Sequence, residues 1–205
     1  VDFTLNVTAT ATDSNGDTAT VSDSFFVDLN AVADAPSLSV SDAAGDEDTA
    51  IALNISSGLT DTDGSETLEV VISDVPAGAS LSAGTDNGDG TWTLTESDLS
   101  GVTITPPENS DVDFNLTVTS TTTDTNGDQA STTDTLNVVV DAVADAPDLN
   151  LVDASGNEDS AISLNLTSAL TDSDGSESLS VVISGVPAGA TLSAGTDNGD
   201  GTWSL

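Results

Sequence analysis

The feature that most constrains this chain is a long internal repeat. Val1-Asp2-Phe3 returns as Val112-Asp113-Phe114, and Asp89-Gly90-Thr91-Trp92 returns as Asp200-Gly201-Thr202-Trp203, both at an offset of 111 residues. A period of that size is too long for one turn of a solenoid. It matches a sandwich domain of about 100 residues with a short linker. Taking Val32-Ala33-Asp34-Ala35-Pro36 and Val143-Ala144-Asp145-Ala146-Pro147 as junctions divides the chain into three parts. Residues 1–34 carry the C-terminal strands of one repeat, 35–145 form a complete repeat, and 146–205 open the next. Two strands do not make a stable unit alone, so the chain reads as a stretch of a longer array.

Within the complete repeat the hydrophobic period is two, the signature of half-buried strands. Ile51, Leu53 and Ile55 alternate with Ala52 and Asn54. Leu68, Val70 and Ile72 follow, and after a Val75-Pro76-Ala77-Gly78-Ala79 turn come Leu81, Trp92, Leu94, Val102 and Ile104. The clearest strand sets Val112, Phe114, Leu116 and Val118 inward against Asp113, Asn115, Thr117 and Thr119 outward. Asn126-Gly127 marks a tight hairpin, and Leu136, Val138 and Val140 return along the last strand. No helical period interrupts the pattern. The expected fold is all-β, with tandem immunoglobulin- or cadherin-like antiparallel β-sandwich domains.

Charge narrows the function. The chain has 36 acidic residues and no Lys, Arg or His, giving a net charge of −36. It offers no basic patch to nucleic acid or anionic lipid, and ordinary salt bridges cannot form. Without His, Cys, Lys, Arg or Tyr the usual bases, nucleophiles and cationic transition-state stabilisers are missing. A non-catalytic role is expected.

The acids cluster. Asp61-Thr62-Asp63-Gly64-Ser65-Glu66 gathers three carboxylates around a glycine bend and returns as Asp172-Ser173-Asp174-Gly175-Ser176-Glu177. Two like charges ~4 Å apart repel by about 4 kcal/mol at an effective dielectric of 20. A cation from solution would offset this, and for all-oxygen ligands on flexible loops Ca²⁺ is expected, since Mg²⁺ demands a tight octahedron. The loop is not an EF-hand, whose twelfth position must be Glu; here it is Ile72, or Ile183 in the copy.

Topology places the clusters. In an immunoglobulin-like sandwich the B–C and F–G loops lie at the end where the chain enters, and the A–B and E–F loops at the exit. Asp61, Asp63 and Glu66 on the B–C loop, with Asp124, Asn126 and Asp128 on the F–G loop, should therefore face the incoming linker, Asn30 to Asp34. The Asp-x-Asn-Gly-Asp pattern of the F–G loop is equally that of a plain turn, and both readings stand. At the exit, Glu47 and Asp48 of the A–B loop, with Glu108 and Asp111, should face Asp141 and Asp145 of the outgoing linker. They should also face Asp172, Asp174 and Glu177 of the next repeat; Glu158 and Asp159 copy Glu47 and Asp48. Each junction would then hold Ca²⁺ between two neighbouring repeats of the same chain.

Several motifs together resemble a known family. Val-Ala-Asp-Ala-Pro junctions, Asp-Thr-Asp-Gly-Ser-Glu, Val-Pro-Ala-Gly-Ala and Asp-Asn-Gly-Asp-Gly-Thr-Trp-Thr-Leu look like the tandem repeats of giant RTX-type, LapA-like bacterial adhesins exported by type I secretion. The resemblance implies an extracellular extender at the bacterial surface, stiffened by Ca²⁺. It would project a distal ligand-binding module for attachment and biofilm formation, with the adhesion ligand held by another region of the parent. The layout is also similar to cadherins, but Asp34-Ala35-Pro36 lacks their Asn-Asp linker pair, which implies a smaller ligand set. The rival reading is a glycan-binding sandwich acting through avidity. Trp92 and Trp203 could stack on sugars, but they run in phase with Leu94 and Leu205, which reads as core.

Overall fold

Alternating apolar and hydroxyl side chains produce strands throughout the computed structural model, which describes residues 2–205. The chain opens on a hairpin, β1 (Phe3–Thr12) and β2 (Thr18–Val27). The central repeat follows with β3 (Ser37–Ser41), β4 (Ala43–Asp46), β5 (Ile51–Ala52), β6 (Asn54–Gly58), β7 (Glu66–Ser73), β8 (Ser80–Leu81), β9 (Thr85–Asp86) and β10 (Trp92–Leu94). A single 3-10 turn, Glu96–Leu99, leads to β11 (Thr103–Thr105), β12 (Phe114–Asp124) and β13 (Gln129–Asp141). The last segment holds β14 (Asp148–Val152), β15 (Asn165–Ala169), β16 (Val182–Ser184), β17 (Thr196–Asp197) and β18 (Thr202–Ser204).

The central repeat is a sandwich. One sheet runs in the order β4-β13-β12-β7-β10-β9, antiparallel except where β4 pairs parallel with β13. The short ladders β3-β6 and β5-β11-β8 complete the other layer. Between them lie Ile51, Leu53 and Ile55, Val70 and Ile72, Leu94, Ile104, Leu116 and Val118, and Leu136, Val138 and Val140. These are the inward positions that period two assigns. Trp92 packs on the same cluster, and Trp203 is buried in the last segment.

Two details depart from the expected strands. Val112 is not inward but 64 % exposed, because the segment before β12 is drawn away from the sheet. Asn109, left-handed at φ 53°, gives its N–H to Asp48 Oδ1, and Asp113 Oδ1 takes the Val140 N–H at 2.9 Å in place of a ladder partner. Pairing therefore starts at Phe114. The F–G hairpin is closed by Asp124 and Asp128 (N···O 2.9 Å) around a three-residue loop ending in Gly127 at φ 93°. Asn-Gly here builds a turn with a left-handed glycine, not a two-residue hairpin. The first hairpin repeats it between Asp13 and Asp17.

Residues 31–36 are fastened to the repeat they lead into. Asn126 Nδ2 donates to the Ala31 carbonyl at 2.6 Å, and Glu66 Oε1 accepts the Asp34 N–H at 2.6 Å. The hydroxyls of Thr122, Thr60 and Thr132 donate to the carbonyls of Asp34, Ala35 and Pro36. Thr122 can do so because β12 continues its inward face past the apolar core as Ser120, Thr122 and Asp124, all buried.

Candidate metal centre

The Asp-x-Asp-Gly-Ser-Glu loop organises itself locally. Asp61 Oδ1 accepts the Asp63 N–H at 2.9 Å, and Asp63 Oδ1 accepts the Ser65 N–H at 2.8 Å. Its copy does the same, Asp172 to Asp174 at 2.9 Å and Asp174 to Ser176 at 2.8 Å. Gly64 and Gly175 sit at φ 94° and 105°, a conformation an L side chain rarely takes. In the first copy the next strand, β7, starts at the glutamate, Glu66; in the second, β16 starts only at Val182, after Glu177.

The second copy meets the preceding repeat. Glu47, from the turn after β4, lies with Asp172 and Asp174 so that one carboxylate oxygen from each falls within 4.8 Å of the others. Glu47 is 2 % and Asp172 1 % exposed. Glu47 Oε1 accepts the Val143 N–H of the linker at 2.7 Å, and the Glu47 N–H donates to the Asp141 carbonyl at 3.0 Å. Two residues on, the Asp145 N–H donates to Glu177 Oε1. Alternate linker amides are thus held by glutamates from the two repeats. The second oxygens of both, Glu47 Oε2 and Glu177 Oε2, are buried without a hydrogen-bond partner, as is Glu66 Oε2 at the other junction. Buried carboxylate oxygens left bare are costly.

The electrostatics follow from this crowding. The Val143 N–H favours the Glu47 carboxylate, but burial and the charges of Asp172, Asp174 and Asp48 outweigh it and raise its pKa above 4.5. The Ser176 backbone N–H and hydroxyl hold Asp174 down to about 2. Asp111, whose N–H meets Asp174 Oδ2 at 3.3 Å, is raised by desolvation and by the Asp174 carboxylate. Three acids from two repeats share one pocket of negative charge with no cationic side chain in the sequence. A divalent cation with oxygen ligands would complete it, taking the bare Glu47 Oε2 and oxygens of Asp172 and Asp174. The adjoining cleft of about 700 Å³, lined by Asp48, Glu108, Asn109, Asp145 and Thr171, leaves room for water to fill a coordination shell.

The remaining candidates divide by position. Asp48, left-handed at φ 56°, spends Oδ1 on Asn109, and Asp141 lends its carbonyl while its side chain stays exposed. Asp34 and Asp145 contribute main-chain groups to the linker grip. At the entry junction Glu66 and Asp124 are buried and directly opposite across β7 and β12, while Asp61 is half-buried and Asp63 exposed. Asn126 gives its amide to Ala31, and it also holds Asp128 through Nδ2 at 3.2 Å. Asn30, Glu158 and Asp159 are exposed and stand outside the Glu47 cluster.

Sequence reasoning missed Asn109. Its Nδ2 reaches the Thr171 carbonyl at 3.3 Å, across the repeat boundary. The signal was its place after Pro106-Pro107-Glu108, where an Asn that tolerates positive φ often turns the chain.

Asp86 and Asp89 are turn residues, accepting the Gly88 and Thr91 N–H groups. Among the described residues no helix is long and apolar enough to cross a membrane. No family model matches the chain, and no curated protein is significantly similar to it.

Proposed function

We propose that this chain is a non-catalytic, Ca²⁺-stiffened spacer, part of the extender region of a large bacterial surface adhesin outside the cell. The observation that carries the reading is the Glu47, Asp172 and Asp174 cluster, built from two repeats, with Glu47 and Asp172 buried, Asp174 at the exposed side and one glutamate oxygen bare. A cation there would join the end of one sandwich to the start of the next. Without it the acids repel and the linker between Asp141 and Asp145 becomes a hinge. All-oxygen ligands in a loop-built site favour Ca²⁺, and the millimolar affinity typical of extracellular modules suits that compartment. Each repeat would add on the order of 40 Å to the array. The likeness of the junction and loop motifs to giant adhesin repeats supports the cellular setting, with the adhesion ligand bound elsewhere in the parent protein.

Small-angle scattering with millimolar Ca²⁺ and again with chelator tests the spacer. The expected result is an extended, stiff particle that shortens and becomes flexible on chelation. An unchanged profile would leave the acids as a solvated coat and end the proposal.

A further inference from the structure

The first and last stretches of the central repeat run side by side in the same direction. The Thr132 hydroxyl donates to the Pro36 carbonyl at 2.8 Å, and the Asn137 N–H donates to Asp42 Oδ1 at 2.9 Å. β4 then pairs parallel with β13, from Ala43 opposite Val138 to Asp46 opposite Asp141. The Glu47 N–H ends the run on the Asp141 carbonyl at 3.0 Å. This is where the sheet departs from antiparallel pairing. Behind it Ala43, Val138 and Val140 are buried in the core.

The same two stretches are the ones the linkers pull on. The chain reaches Pro36 from the incoming linker and leaves Asp141 into the outgoing one. Tension along an array therefore draws Pro36 toward the entry end and Asp141 toward the exit. Parallel neighbours loaded this way slide along each other, and every bond between them must stretch at once. Sliding also drags close-packed core side chains past one another. Separation from one end would open the bonds singly.

We infer that the central repeat carries tension, with residues 36–47 and 132–141 forming a shear clamp that keeps the sandwich closed when its neighbours pull. The inference rests on the spacer reading for the source of the tension. The clamp itself uses bonds within one repeat, not the cluster of Glu47, Asp172 and Asp174 side chains. Forced unfolding follows the unfolding rate and not the equilibrium stability. Asp42 thus has a role that stability alone would not reveal. It is an exposed carboxylate at the crossover from β3 to β4, and it holds the middle of the run to β13.

The test applies force to the 205-residue chain through chosen points, which the absence of cysteine permits. Ala35→Cys with Ala142→Cys, both at exposed positions, loads the clamp along its length. Asp46→Cys with Ala142→Cys loads β4 and β13 at the same end and peels them apart. Neither pair passes force through the first hairpin or the last segment. Both are pulled in optical tweezers at constant millimolar Ca²⁺ and one loading rate. The first pair should unfold in one step that releases on the order of 300 Å of chain, at a force severalfold above the second. Adding Asp42→Ala and Thr132→Val should lower the first force and leave the second unchanged. Equal forces for the two pairs, or a first force that ignores the added substitutions, would overturn the inference. The cysteine pairs differ only in where force enters, so their comparison holds even where the added substitutions lower stability. Scattering on chelation reads the junction and not the clamp, so the spacer and the clamp fail separately.

Discussion

The two copies of the acidic loop have nearly the same sequence and the same backbone hydrogen bonds to their aspartates within the loop, yet they end in different surroundings. In both, the first Asp accepts the N–H two residues on, the second does likewise, and the glutamate grips a linker amide. Asp172 is buried against Glu47 of the preceding repeat, whereas Asp61, beside which the described residues include no counterpart of Glu47, is half-buried. Local sequence therefore sets the shape of the loop. Burial and the concentration of charge come from the neighbour. The Glu47, Asp172 and Asp174 cluster is brought together only where two repeats meet.

Breaking the whole site should cost most. Asp172→Ala is expected to weaken the tightest Ca²⁺ step by about 100-fold, on the scale by which ligand count and supporting groups tune such sites. Asp61→Ala should leave that step within about twofold. Titration calorimetry of the two variants checks the difference, and equal losses would mean the copies are equivalent sites.

Acidity should sharpen the contrast in the metal-free chain. Because the pKa of Glu47 is raised above 4.5, its charge weakens the junction at neutral pH, and stability returns as pH falls through that raised value. Asp174, lowered from 3.8 to about 2 chiefly by Ser176 of its own loop and further by Asp111 across the junction, stabilises the folded loop and its contact with Asp111 above 3.8 and loses that contribution as pH falls toward 2. With chelator present the exit junction should thus be most closed at about pH 4. Amide exchange at Val143 and Asp145, slowest there and faster at pH 7 after correction for the intrinsic rate, is the measurement.

The smallest effect is expected at the entry. Asn126→Ala removes the hydrogen bond to the linker carbonyl of Ala31 and two exposed ones to Asp128 within the turn and should destabilise the central repeat by about 1–2 kcal/mol in denaturant unfolding, leaving Ca²⁺ affinity unchanged. A change in affinity would make Asn126 part of a cation site.

Much of this was legible in the chain. Period two named the core, since every second residue of a strand faces one side. It failed at Val112, whose neighbours Asn109 and Asp113 are held by Asp48 in a turn and by Val140 on β13. It also did not foresee that β12 stays buried through Ser120 and Thr122; hydroxyls read as solvent-facing until their partners, the Ser57 hydroxyl for Ser120 and the Asp34 carbonyl for Thr122, are known. The gathering of Glu47 with Asp172 and Asp174 followed from assigning loops to the ends of a sandwich. The same assignment put Asp34, Asp145 and Asn126 at the junctions, where the first two form hydrogen bonds through their backbone and the third through its amide.

By itself the sequence determined the repeat, the strand faces and the bent acidic loop, because these depend on neighbours a few residues away. It also determined that any compensating cation must come from solution, having none of its own. Only the tertiary structure decided which carboxylates share a buried space and which oxygens are left bare. Those contacts join residues of different repeats, and their geometry is set by how one sandwich end meets the next through a linker held from both sides.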